Sequence, residues 1–102
     1  MEINIKEGAL KQLSTISFKE DEGIRILAEF VGTCSIATEI ELHKETQMED
    51  DIVIEQEGFL FFVPNQSLES LPEKINLDYK PGMGYKIYSD METFGYSFQL
   101  KE

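Results

Sequence analysis

The chain has one cysteine, Cys34, one histidine, His43, and no tryptophan. A single thiol excludes an internal disulfide, which agrees with a reducing compartment. His43 has no second histidine or cysteine at ligand spacing, so a zinc site built within one chain is disfavoured. Basic residues are also few. Nine Lys and Arg stand against twenty Asp and Glu, for a net charge of −11. The nine are scattered, and without a cluster to neutralise phosphates nucleic acid is excluded as a partner. The same charge disfavours an anionic membrane surface. It suits solubility, and it leaves a basic protein partner or a cation open. No apolar run approaches the roughly 18 residues that span a bilayer. The start, Met1 to Lys6, lacks a basic-then-apolar leader pattern, so the expected location is the cytoplasm.

What is present suffices for a fold. The 102 residues predict one domain over 1–102, able to bury roughly two-thirds of its unfolded surface. A hydrophobic content of 41% with seven Phe and four Tyr predicts order. Residues 2–5 alternate as a short strand, and Ala9, Leu10, Leu13 and Ile16 follow a helical spacing after Glu7. Gly8 inside the first helical turn costs about 1 kcal/mol relative to Ala. Gly23 to Phe30 reads as a strand with Ile24, Ile26, Ala28 and Phe30 on one face. Thr38 to His43 alternates again, with Ile40 and Leu42 inward and His43 toward solvent.

Lys44 to Asp51 reads as a polar connection in which Glu49-Asp50-Asp51 is a solvated acidic run, lacking the spacing of a calcium loop. Ile52 to Gln56 and Phe59 to Val63 flank Glu57-Gly58 as a hairpin. Asn65 caps a short helix reaching Leu71, which Pro72 stops. Ile75 to Tyr79 and Tyr85 to Tyr88 are strands about the Pro81 to Gly84 turn, which has no helix or Lys-Ser pair to make it a phosphate loop. Asp78 falls on the face opposite Leu77 and Tyr79, exposed or hydrogen-bonded. Phe94 to Leu100 alternates as a last strand. The sum is a mainly β, β-rich α+β chain with an N-terminal helix and one short helix.

Gly32-Thr33-Cys34-Ser35 interrupts two strand-like runs, and a thiol on such a turn is placed to meet something outside. A buried small hydrophobe is the competing reading of Cys34. A catalytic thiol requires an activating base, and His43 on the solvent side of its strand is poorly placed for that. No catalytic residue is assigned and no enzyme activity is expected.

The order of these pieces resembles the HesB/IscA-like family, the A-type carriers of iron–sulfur cluster assembly. The resemblance is densest from Asp51 to Lys86: the Asp51 to Gly58 hairpin with Phe59 to Val63, then Ser67-Leu68, then Ile75 to Tyr79, then Gly84 to Ile87. Gly32 to Ser35 resembles the loop that bears the family's first cluster cysteine. The resemblance implies two small sheets in a distorted sandwich or pseudo-barrel, and iron or a transiently shared cluster as cargo, held by Cys34. Family carriers end in Cys-Gly-Cys; here the matching tail is Phe94-Gly95-Tyr96, with both thiols replaced. Clusters take thiolates, usually four, so the missing donors would come from a homodimer, another side chain, a small thiol or a partner protein. The alternative is an interaction module that keeps the fold and has lost the metal. In that reading Phe94 and Tyr96, among the aromatics that crowd the last quarter, close the vacant space or offer a partner an apolar patch.

Overall fold

The computed structural model describes residues 1–30 and 38–101. The chain runs β1 (Glu2–Ile5), α1 (Glu7–Leu13), β2 (Glu22–Phe30), β3 (Thr38–Thr46), β4 (Asp51–Gln56), β5 (Phe59–Pro64), α2 (Asn65–Glu69), β6 (Lys74–Lys80), β7 (Gly84–Tyr88), β8 (Thr93–Phe98) and β9 (Leu100–Lys101). The strands form two mixed sheets, ordered β1-β6-β7-β8 and β4-β5-β2-β3-β9. The mainly β expectation, with two short helices, holds. Among the described residues no helix is long and apolar enough to cross a membrane.

The alternation of apolar residues decides which faces meet. Ile3 and Ile5 of β1, Ile24 and Ile26 of β2, Leu42 of β3, Phe61 and Val63 of β5, and Ile75, Leu77 and Ile87 of β6 and β7 form one buried cluster. Each such side chain contributes roughly 1.5–3 kcal/mol on leaving water. The inward side of Phe30 expected from the sequence lies outside the described side chains.

Helix α1 closes one end of this core with Ala9 and Leu13 fully buried. It stops at Leu13, short of Ile16. The Ser14 hydroxyl donates to the Leu10 carbonyl at 2.8 Å and the Thr15 hydroxyl to Gln12 at 2.7 Å, each beside the backbone N–H of the same residue on the same carbonyl, so the side chains tie down the helix end. Gly8 has a packing reason: a Cβ there would collide with the Tyr79 carbonyl and Asp78 Oδ1. The helix thus lies directly on β6, and Asp78 itself accepts the Tyr79 N–H at 2.8 Å.

The β4–β5 hairpin turns through Glu57 at φ 55° and Gly58 at φ 83°, two left-handed positions that match the strand twist. Two local expectations fail. Asn65 is not a cap: Pro64 holds the N-cap position of α2, with no side-chain hydrogen bond. The connection after β3 is shorter than Lys44 to Asp51, because Lys44 and Glu45 continue the ladder opposite Ile24 and Gly23, and Asp51 already belongs to β4.

Candidate functional site

Strands β2 and β3 are the two arms between which the sequence places Cys34. They pair antiparallel from Glu22↔Thr46 to Phe30↔Thr38; Cys34 and its Gly32 to Ser35 turn lie outside the described residues. The last described side chains on these arms are acidic. Glu29 stands directly opposite Glu39, and Glu41 is two residues along the same face. Like charges so opposed repel. These three carboxylates, with Leu27, Ala28 and Ser67, line much of a cleft of about 470 Å³.

The wall of that cleft depends on α2. Strand β2 pairs with β5 at Ile24↔Phe61 and Arg25↔Phe62. Beyond this, the Ala28 N–H donates to the buried Ser67 hydroxyl at 2.9 Å. The side chain of a short helix thereby substitutes for a strand partner.

Further along the outer face of the five-stranded sheet runs a chain of charges. Lys101 of β9 donates to Glu41 at 2.6 Å. His43 sits 3.6 Å from both Glu41 and Glu45. Arg25 lies 3.4 Å from Glu45 and 2.5 Å from Asp51, and its second terminal nitrogen donates to the Thr46 carbonyl at 2.9 Å. The Lys101 hydrogen bond and charge hold the Glu41 carboxyl below the ordinary value. Burial alone would raise Asp51, but the Arg25 hydrogen bond, the Met48 N–H and the Arg25 charge outweigh it and hold Asp51 low. The Asp51 bond in turn raises Arg25, against burial.

The solvated reading of Asp51 is therefore overturned: its side chain is 1% exposed and that of Arg25 is 4%. The one signal was a cation set between Ile24 and Ile26 in an apolar strand. His43, read as facing solvent, is half-buried between its two glutamates.

The tail separates the two aromatics that stand where the resemblance expects thiolates. Phe94 is half-buried and packs against the core, whereas Tyr96 is 62% exposed. Gly95 between them adopts φ 155°. Neither side chain offers a thiolate. Among the described residues no group of three His, Cys, Asp or Glu is placed to hold a metal ion.

The family model for iron–sulphur cluster biosynthesis matches residues 1–91, a span that includes Cys34 and ends before Phe94. No curated protein matches the sequence with significance. Among solved structures, the crystal structure of a candidate Fe-S biosynthesis protein from Lactobacillus acidophilus superposes with a TM-score of 0.74 at 15% identity, over 100% of this chain and 90% of that one. Escherichia coli SufA, described as involved in biosynthesis of iron–sulfur clusters, superposes with a TM-score of 0.58 at 18% identity, over 85% of this chain and 79% of that one. At such identities the likeness is one of fold. The family match carries the assignment that the resemblance anticipated: the chain belongs to the iron–sulphur cluster biosynthesis family.

Proposed function

We propose that the protein serves iron–sulfur cluster assembly in the cytoplasm as a transient carrier or accessory, engaging iron or a cluster through Cys34 rather than catalysing a reaction. The family match through the Cys34 segment is the observation that supports it. The cargo is a substrate in this reading, passed on rather than kept. One thiolate cannot complete a cluster, so the remaining donors come from a second copy across a two-fold axis or from the protein that gives or receives the cargo. The opposed Glu29 and Glu39 leave this end of the sheet negative, which attracts a cation, though among the described residues they form no metal site of their own.

A second reading rests on the tail. Phe94 packs into the core and Tyr96 faces solvent, and a chain that kept the fold while losing cluster chemistry would carry such replacements.

Anaerobic reconstitution with ferrous iron and sulfide, beside Cys34→Ser, separates the two. Charge-transfer absorbance and bound iron that disappear in the variant support the carrier. Equal absence of both signals in the two proteins, persisting when a thiol-bearing acceptor protein is added, supports the metal-free module.

A further inference from the structure

We propose that the outer face of the four-stranded sheet holds a docking cleft for a short acidic segment of a partner protein, gripped by Lys80, Lys86, Tyr96 and Met83. This inference rests on neither reading of Cys34.

The register builds the cleft. Asp78 lies opposite Lys86 and Lys80 opposite Gly84, so these side chains share the face turned away from buried Leu77 and Ile87. With Met83 and Tyr96 they line a cavity of about 280 Å³. That is smaller than most cofactor sites, and it suits one or two side chains. Lys74 is engaged by Glu2, Lys101 by Glu41, Lys44 by Glu22, and Arg25 by Glu45 and Asp51; Lys6, Lys11 and Lys19 have no ion pair among the described residues, but none of them lines this cleft. Among the described residues Lys80 and Lys86 have no carboxylate within ion-pair distance. The Lys86 ammonium rests 4.9 Å from the centre of the Tyr88 ring. Asp78, the one carboxylate in the cleft, already accepts the Tyr79 N–H.

The backbone is distorted to present Tyr96 here. Strand β7 pairs with β8 at Tyr85↔Phe98 and Ile87↔Gly95, so three steps along β8 span two along β7. Such a bulge re-aims side chains. It holds Ser97 at φ 77°, a left-handed conformation that costs a non-glycine residue about 1 kcal/mol or more. Gly84, at φ 111°, admits the bulge, since a Cβ there would lie 2.8 Å from the Phe98 carbonyl. The result is a tyrosine 62% exposed beside a methionine 47% exposed, with two ammonium groups alongside.

Charge complementarity selects the occupant. In a chain of net charge −11, long polyanions such as nucleic acid or an anionic membrane are repelled by the rest of the surface. A short segment carrying one or two carboxylates beside an apolar side chain meets the two local cations and the aromatic wall, with Asp78 as the single opposing charge in the cleft.

The test is fluorescence anisotropy of a labelled, amidated hexapeptide in which Asp and Glu alternate with Phe and Leu, set beside its Asn/Gln analogue and titrated with the full chain. Binding is expected for the acidic peptide and not for the analogue. Combined Lys80→Glu and Lys86→Glu should weaken it by more than about tenfold, and Tyr96→Ala by about five- to thirtyfold. Lys11→Glu, exposed on α1, and Cys34→Ser should bind as the parent does. Urea midpoints check folding, and combined Lys80→Gln and Lys86→Gln replaces the reversal if it misfolds. The proposal is overturned by no saturable binding up to millimolar protein, by equal losses in Lys11→Glu, or by indifference to Tyr96→Ala. Self-association abolished by the same lysine pair also overturns it, because the occupant would then be a second copy.

Discussion

Removing the Asp51 side chain as alanine leaves the Arg25 guanidinium buried beside β4 without its principal anion. With both side chains at most 4% exposed, the relevant scale is a broken buried pair, about 3–5 kcal/mol. Glu45 at 3.4 Å and the Thr46 carbonyl at 2.9 Å remain to Arg25, which sets the expectation at the lower end, about 3 kcal/mol. Against a total of roughly 5–15 kcal/mol for a small protein this is a large fraction. With a urea slope of about 1–3 kcal/mol per molar, the midpoint should fall by about 1–3 M. Combined Arg25→Met and Asp51→Leu should return to within about 1–2 kcal/mol of the parent, because desolvation of both ions is removed together.

The pair also fixes a pH dependence. The Asp51 carboxyl is held below its ordinary value of 3.8 when folded, so its contribution is fully present above that value and is lost as pH falls through the lower, folded one. The double variant should therefore lose less stability than the parent as pH falls below 3.8. A single-variant loss under about 1 kcal/mol, the scale of a solvent-screened surface pair, would refute the reasoning. So would a double variant no better than the single.

Two other substitutions test local packing. Gly8→Ala should lower stability by about 1–2 kcal/mol, because the collision with the Tyr79 carbonyl exceeds the ~1 kcal/mol helix-propensity gain; a stabilised variant in urea melts would show that α1 does not lie so close to β6. Tyr85 has a buried hydroxyl with no hydrogen-bond partner among the described residues, and burial followed by the neighbouring Tyr79 pushes its pKa up to about 12. Tyr85→Phe should therefore be stabilising by about 1 kcal/mol. It should also abolish a late tyrosinate step near pH 12 and the stability lost between the ordinary value of 10.0 and about 12; a less stable Tyr85→Phe counts against an unpaired hydroxyl.

The fold was legible wherever a residue's environment follows from its near neighbours. Period-two alternation located β2, β6 and β7, and Glu57-Gly58 marked the hairpin because left-handed backbone has a local price in side-chain type. What the sequence could not disclose is non-local. Arg25 looks like a solvent-facing position until Asp51, distant along the chain, is brought beside it. Gly8 looks like a weak point in a helix until β6 is laid against it. Asn65 has a capping side chain, but Pro64 already fixes extended backbone one residue earlier. Of the site, the loss of two thiols could be read directly. That Phe94 and Tyr96 part to opposite environments required the irregular β7–β8 register, which shifts on both sides of Ile87 and which no local pattern announces.

The Ser67 hydroxyl that receives the Ala28 N–H bears on motion as well as architecture. Among the described residues, that side of the β2 arm is held beyond Arg25 by the side-chain bond to a five-residue helix, where the root of the strand pairs with β5. Amides protected by a single contact exchange through small openings, well below the free energy of global unfolding. The Ala28 end of the strand can therefore open while the Ile24–Ile26 segment stays closed, and faster exchange at Ala28 than within that segment is the expected sign.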